Sequence, residues 1–364
     1  MMQRIYTLVT TVVMVAVMVA ASYAPVAAAD EWDKVLAAAK KEGTVSVIGP
    51  VGSDRRDTLT LAFEKKYGIK VDYLGDRGSG IGPKITAERN AGQFLWDVFI
   101  GGTTTALSVT LPAGMLDPIE PALILPQVKD PKQWRGGKIE YLDPGKRVMV
   151  MMLTQRGTLY VNPKVTKPES ITSYKDLLAP KFKRKIVMDD PTNAGPGQAT
   201  FTFFYLHPAL GPNFIRELAK QEPTVLKDYT QELEGVAREK FLVLIGVSDI
   251  FAQARIEAGM PIAILDPRKI KEGTDIGSVS GALTMFNHAP HPNAAKVYIN
   301  WLLSKEGQTA YALLNGNIST RLDVPTDHAP WRVPMPKAIE TYSQKAIDVK
   351  DEVIAVFKEA FGRK

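Results

Sequence analysis

Apolar positions along this chain alternate between two periods. Residues 31–42 (EWDKVLAAAKKE) place Trp32, Val35, Leu36 and Ala39 on one helical face, with Lys and Glu opposite, and Gly43 ends the helix. Thr44-Val45-Ser46-Val47-Ile48 is β-branched and predicts a strand. Residues 49–55 form a loop in which Ser53 and Asp54 are candidate caps for a helix over 56–67, closed by Gly68. A second strand spans 69–74. The glycine-rich loop 75–83 follows, and Pro83 suits the first turn of a helix over 84–91. Asp97-Val98-Phe99-Ile100 is a third strand, followed by Gly101-Gly102-Thr103-Thr104-Thr105 and a short helix. Strand, polar loop and helix thus recur three times with short connections. That rhythm predicts a doubly wound, parallel α/β sheet whose ligands lie beyond the carboxyl ends of its strands.

The second half is less regular. Residues 139–161 read as extended structure leaving the first sheet, with 148–153 wholly apolar. Residues 173–178 are a short helix. Lys185-Ile186-Val187-Met188 is a strand that opens into Asp189-Asp190-Pro191-Thr192-Asn193-Ala194-Gly195-Pro196-Gly197-Gln198, ahead of the aromatic helical run Phe201-Thr202-Phe203-Phe204-Tyr205. A strand, a small polar loop and a helix start aim unpaired N–H groups at one point. Helices are predicted over 214–222, 225–232, 250–257, 293–303 and 305–314, and strands over 241–247, 259–265 and 278–286. The tail over 337–361 is helical by pattern. The segments 141–153 and 266–283 are the candidate hinge crossings.

Composition sets the bounds. The 364 residues are 45% hydrophobic and 23% charged, enough for two cores. Met1–Arg4 is a basic start, residues 5–21 are apolar, and Ala27-Ala28-Ala29 fits a small-residue cleavage site. The apolar run nears membrane-spanning length, but Pro25 and the small residues after it favour cleavage over a retained anchor. The mature chain then begins at Asp30. No cysteine is present, which excludes a lipid anchor, disulfides and thiolate metal sites. A cleaved leader without a lipid implies the periplasm of a Gram-negative cell. Arg4 is the one charged side chain before Asp30, so the net charge of +6 becomes +5 on cleavage. The basic residues are scattered, which argues against nucleic acid as a partner.

Catalytic signatures are missing. There is no GxSxG and no HExxH. Gly78-Ser79-Gly80-Ile81-Gly82 lacks the dinucleotide spacing, so no cofactor is expected. Asp189 and Asp190 are neighbours on a strand and point to opposite faces, which disfavours an acid–base dyad. The four histidines show no ligand spacing beyond His288-x-x-His291, which reads as structural. The chain is not expected to be an enzyme, nor to hold a metal.

Several stretches together resemble the extracellular solute-binding proteins of ABC-type importers, in the branch that includes the ferric-ion binders. They are WDKVLAAAKKEGTV (32–45), FEKKYGIKV (63–71), Trp96-Asp97-Val98, SYKDLLAPKFK (173–183), PHPNAAK (290–296) and WLLSKEGQ (301–308), in that order along the chain. The resemblance implies an α/β fold of two periplasmic-binding-protein lobes (type II-like). Each lobe would be a mixed, mostly parallel sheet flanked by helices, joined to the other by crossing strands at a hinge. It also implies a ligand trapped between the lobes and delivery to a membrane permease. The expected divisions are a leader over 1–29, a first lobe over 30–145, a second over 146–270, and a return to the first lobe with C-terminal helices over 271–364. Ferric members carry adjacent tyrosines just after a buried strand. The matching place here, Val247-Ser248-Asp249-Ile250-Phe251-Ala252, has none.

The reading that follows is a monomeric binding protein for a small organic anion, a carboxylate or a phosphonate. Ser53, Gly78, Ser79, Thr103 and Thr104 are the candidates from the first lobe, and Thr192, Asn193, Ala194, Gly195 and Gln198 from the second. Arg77 or Arg156 would supply a charge-assisted bond. Asp249 either accepts from a ligand amine or caps its helix, and the cap is preferred. The alternatives are a ferric-ion or other metal binder of the same family, and a protein that reports its ligand to a membrane sensor.

Overall fold

The structure, a computed structural model, describes residues 29–75, 78–193 and 195–362. The leader expected over 1–29, apart from its last residue, lies outside the described residues, as do Arg77 and Ala194. Among the described residues no helix is long and apolar enough to cross a membrane.

Among the described residues fourteen strands make three sheets. In chain order they are β1 (Thr44–Gly49), β2 (Lys70–Gly75), β3 (Val98–Gly101), β4 (Leu116–Asp117), β5 (Met149–Val150), β6 (Thr154–Gln155) and β7 (Leu159–Val161). Then come β8 (Ile186–Asp189), β9 (Thr224–Leu226), β10 (Val243–Ile245), β11 (Ala263–Ile264), β12 (Asp275–Gly277), β13 (Ala282–Phe286) and β14 (Ile339–Glu340). The first lobe's sheet has the order β2-β1-β3-β13-β4, with β5 beside β13. β1 runs parallel to β2 and β3, while β13 is antiparallel to β3. The second lobe's sheet has the order β11-β7-β10-β8-β9, parallel only among β10, β8 and β9. Both sheets are therefore mixed.

Burial explains why these segments are strands. β1 and β3 are buried on both faces, as central parallel strands covered by helices must be. Leu59 and Phe63 of helix Ser53–Tyr67 pack on one side with Tyr298 and Trp301 of helix Pro292–Leu302. In the second lobe Phe201, Phe203 and Phe204 of helix Pro196–Leu206 fill the core. Phe204 meets Tyr174 and Phe214 edge-on, at 5.0 and 5.1 Å between ring centres.

Four local expectations are corrected. Residues 225–232 do not form one helix: Thr224-Val225-Leu226 pairs with β8 as an edge strand, and Asp228 starts the helix Tyr229–Ala237 by accepting from Gln231 N at 2.8 Å. Helix Ser53–Tyr67 begins at Ser53 itself, capped by Gly52 at φ 131 with no side-chain cap bond. The strand expected over 278–286 is broken, because Val279 and Ser280 adopt φ of 34° and 58°. The tail is not uniformly helical, since Ile339–Glu340 is strand β14. Helix Lys350–Ala360 places Val353 and Phe357 in the second lobe's core.

The third sheet, β14-β12-β6, gathers the strands by which the chain passes between the two lobes, where the hinge crossings are expected. The chain enters the second lobe through β6, just beyond the 141–153 segment, and returns through β12, within 266–283. It crosses again through β14 to reach the C-terminal helices. Asp275 of β12 binds all three strands' neighbourhoods. Its carboxylate accepts from Arg156 Nε at 2.6 Å and from Thr341 Oγ1 at 3.0 Å. Arg156 is only 13% exposed and Asp275 is fully buried. Breaking a buried pair by removing one partner strands a charge in low dielectric. Asp275→Ala is therefore expected to cost about 3–5 kcal/mol of stability, read from the denaturant midpoint. A loss below about 1 kcal/mol would contradict the role given to this pair.

Candidate functional site

The cleft between the lobes is built from three pieces. The second-lobe wall is the loop after β8. Asp190 Oδ1 accepts from Thr192 N at 2.9 Å and Thr192 Oγ1 at 2.7 Å, which folds the loop back on itself. Asp189 Oδ2 accepts from Gly197 N at 3.0 Å. The contact needs glycine, because a Cβ at Gly197 would sit 2.6 Å from that oxygen. One of the free N–H groups at the start of helix Pro196–Leu206 is thus already taken by the protein's own carboxylate.

The first-lobe wall is Gly102, Thr103 and Thr104, where β3 turns into the short helix Thr103–Thr105 and the π-helix Ala106–Thr110. The floor is the sheet that joins the lobes, with Gly277 ending β12, Ser278 and Ser280 after it, and Thr341 after β14. The cleft is open to solvent and has a volume of about 330 Å³, within the range of small-ligand sites. Two cations line it. Arg156 is committed on several sides: besides Asp275, its Nη2 donates to Pro196 O at 3.1 Å and Thr200 Oγ1 at 3.3 Å. Burial opposes its charge, but Asp275 and Asp249 outweigh burial and hold its pKa above the ordinary value. Lys350, at the start of helix Lys350–Ala360, has no hydrogen-bond or ion-pair partner among the described residues.

Of the residues singled out by sequence, the structure brings Thr103, Thr104, Arg156, Gly195 and Gln198 together in this cleft. Thr192 and Asn193 are not on its wall; Thr192 is spent on Asp190 and Asn193 is exposed. Ser53 is exposed at its helix start and does not line it. Gly78 and Ser79 open helix Gly78–Asn90, but their side chains lie outside what is described. Asp249 lines a smaller neighbouring cavity of about 80 Å³ with Arg156 and Arg332. It does not cap its own helix. Its carboxylate accepts from Gly157 N at 3.2 Å and Tyr160 Oη at 2.5 Å, which ties helix Asp249–Glu257 to β7. His291 is paired through Nδ1 with the buried Asp97 at 2.9 Å.

Sequence reading missed Ser278, Ser280, Thr341 and Lys350. The small-residue run Gly277-Ser278-Val279-Ser280-Gly281 was an available signal. Lys350 had none, because its place depends on how the C-terminal helix docks.

A sequence profile describing bacterial extracellular solute-binding proteins matches residues 58–340. An uncharacterized protein of Haemophilus influenzae is 25% identical over 257 residues, which is 69% of this chain and 70% of that protein. Among solved structures, the periplasmic binding protein AfuA of Actinobacillus pleuropneumoniae, with fructose-6-phosphate bound, superimposes with a TM-score of 0.60 at 21% identity, over 88% of this chain and 99% of its own. Iron-bound HitA of Pseudomonas aeruginosa gives 0.65 at 15% identity, over 87% and 99%. The ferric iron-binding protein A of Mannheimia haemolytica, in an open conformation, gives 0.68 at 16%, over 87% and 98%. At these identities the structural likenesses establish the two-lobe fold.

Carboxylates lie buried behind the second-lobe wall. Burial, reinforced by Asp190, pushes the Asp189 carboxyl up to about 6 against the pull of the Gly197 N–H. Glu232 is fully buried, both oxygens have no partner among the described residues, and burial, then Asp189 and Asp228, push it up to about 8. A carboxyl raised in the folded state costs nothing while protonated in both states. Its cost grows as pH rises from the ordinary carboxylate value towards the raised one. Stability is therefore expected to fall between about pH 4.5 and 8, and Glu232→Gln to raise the unfolding midpoint near pH 8 while changing it little near pH 4. A variant whose midpoint tracks the parent protein across that range would contradict the burial of an ionisable Glu232.

Proposed function

The chain belongs to the bacterial extracellular solute-binding proteins, and from that premise we propose that it captures a small organic anion, of carboxylate or phosphonate type, between its two lobes. The observation that carries this reading is Lys350: a cation with no partner among the described residues, lining the cleft beside threonine and serine hydroxyls. An ammonium that has not been neutralised by its own protein retains its full attraction for a ligand charge. The hydroxyls of Thr103, Thr104, Ser278, Ser280 and Thr341 supply rotatable donors around it. Arg156 acts through the wall. It fixes the start of helix Pro196–Leu206, which brings Gly195 and Gln198 to the cleft.

Closure of the two lobes is part of this reading. A ligand touching only one lobe does not discriminate between open and closed forms. A ligand touching Thr103 and Thr104 on one side and Gln198 on the other does so only when the hinge is closed, and it shifts the population accordingly. The leader expected over residues 1–29 is consistent with a periplasmic carrier, which we take to be a monomer that hands its ligand to an ABC-type permease. AfuA holds a sugar phosphate and HitA holds iron. Here the cleft cation that is unpartnered among the described residues, Lys350, favours an anionic group.

A thermal-shift screen of the mature protein against organic acids, phosphonates, amino acids and ferric salts tests the reading. At a hundredfold excess over Kd a true ligand adds about 2.7 kcal/mol of stability. Stabilisation by one anion class is expected, and stabilisation by ferric ion alone would contradict it. For the anion found, Lys350→Gln is expected to weaken binding about tenfold, the scale of one charged hydrogen bond. Asn193→Ala, off the cleft wall, is expected to change affinity less than Lys350→Gln; the reverse order would return the site to the loop.

A further inference from the structure

The hinge sheet has two faces. Alternation along the strands sends Gly277 and Thr341 to the ligand cleft, and Ile276 and Glu340 to the opposite side. That opposite side holds a second cavity of about 360 Å³, as large as the cleft. Its floor is apolar. Leu153, Ile276 and Tyr342 form a small buried cluster on which Ala338 packs, and Met335 extends it.

One wall of this cavity is Arg135. Its backbone N–H donates to Thr320 O at 2.7 Å, and the adjacent Trp134 is fully buried with its indole N–H on Val128 O at 3.0 Å. The backbone is therefore held firmly. Among the described residues the side chain has no hydrogen-bond or ion-pair partner: Nε is buried without one, and burial lowers the pKa. The other charges around the cavity are accounted for. Lys138 pairs with Glu140 at 2.9 Å, and Glu340 interacts with the Tyr342 phenol and with Lys138. Nε itself is closed off from the cavity, but the guanidinium as a whole is only part-buried and lines it, so its terminal N–H groups are the donors available to an acceptor there.

We propose that this cavity on the back of the hinge is a second binding site, taking a small monocarboxylate with an apolar body. The carboxylate lies on the Arg135 fork, whose planar donors match it in pairs. The body lies on Leu153, Ile276 and Met335. Glu140 and Glu340 flank the site, and their repulsion grows with the charge of the ligand, which disfavours phosphate relative to a monoanion. The site shares no charged residue with the cleft and does not rest on the ligand proposed there.

The test uses the mature, ¹⁵N-labelled protein with benzoate and inorganic phosphate as probes. The Arg135 Nε–H resonance, assigned by its disappearance in Arg135→Lys, is expected to shift saturably with benzoate and not with phosphate. Arg135→Gln is expected to weaken benzoate at least tenfold. Ala338→Phe, which fills the cavity and keeps the guanidinium, is expected to abolish binding while the rest of the spectrum stays folded. Absence of saturation at tens of millimolar benzoate would overturn the proposal. So would undiminished affinity in a folded Arg135→Gln or Ala338→Phe protein, or an affinity that falls with Lys350→Gln but not with Arg135→Gln, which would place benzoate in the cleft.

Discussion

The Arg156–Asp275 ion pair is the contact on which the arrangement of the two lobes depends. It joins β6 to β12 where the chain leaves and re-enters the first lobe, and Asp275 also accepts from Thr341 beside β14. Three passages of the chain between the lobes thus converge on one buried carboxylate. The same guanidinium reaches Pro196 O and Thr200 Oγ1, so the helix that lines the second-lobe wall is indexed to the hinge. Such a pair adds little net stability over an apolar replacement. Its consequence is geometric: it fixes which residues face each other across the cleft.

Charge is distributed unevenly around that hinge. Asp189, Asp190 and Glu232 lie buried behind the second-lobe wall, and Asp189 occupies a helix N–H that an external anion would otherwise use. The cleft itself is lined by Arg156 and Lys350 with hydroxyl-bearing residues between them. Of the two cations only Lys350 is uncommitted within the described residues. The backbone adds a second asymmetry. Val279 and Ser280, both non-glycine, hold left-handed conformations between β12 and β13, at the floor of the cleft. Strain of this kind persists where surrounding structure overrides local preference, and it concentrates at switch and binding segments.

Much of the first lobe was legible because its signals are local. Thr44–Ile48 and Asp97–Ile100 are short apolar runs bounded by glycine, and Thr103 and Thr104 follow such a strand directly, so their place on the cleft wall could be read from order alone. Gly195, Gln198 and Arg156 were reachable in the same way from the strands that flank them. What failed depends on tertiary contacts. Thr224-Val225-Leu226 is a strand only because it lies against β8. Thr192 is a good anion donor by type, but Asp190 next to it claims its hydroxyl. Asp249 looks like a helix cap by position, yet the Tyr160 phenol draws its carboxylate to a neighbouring strand. Lys350 reaches the cleft because Val353 and Phe357 dock on Phe201 and its neighbours, a contact across more than a hundred residues that no local pattern encodes.

The central claim is that ligand capture is closure of two lobes about this hinge. The natural chain has no cysteine, so Leu61→Cys on the first lobe and Val165→Cys on the second, both exposed, can be spin-labelled selectively. The distance distribution between them, measured by pulsed electron double resonance with and without the saturating anion, reads closure directly. A shift of the population to shorter distances on binding is the expected result. An unchanged distribution in protein that demonstrably holds the anion would show that the cleft binds without closing, and would contradict the account.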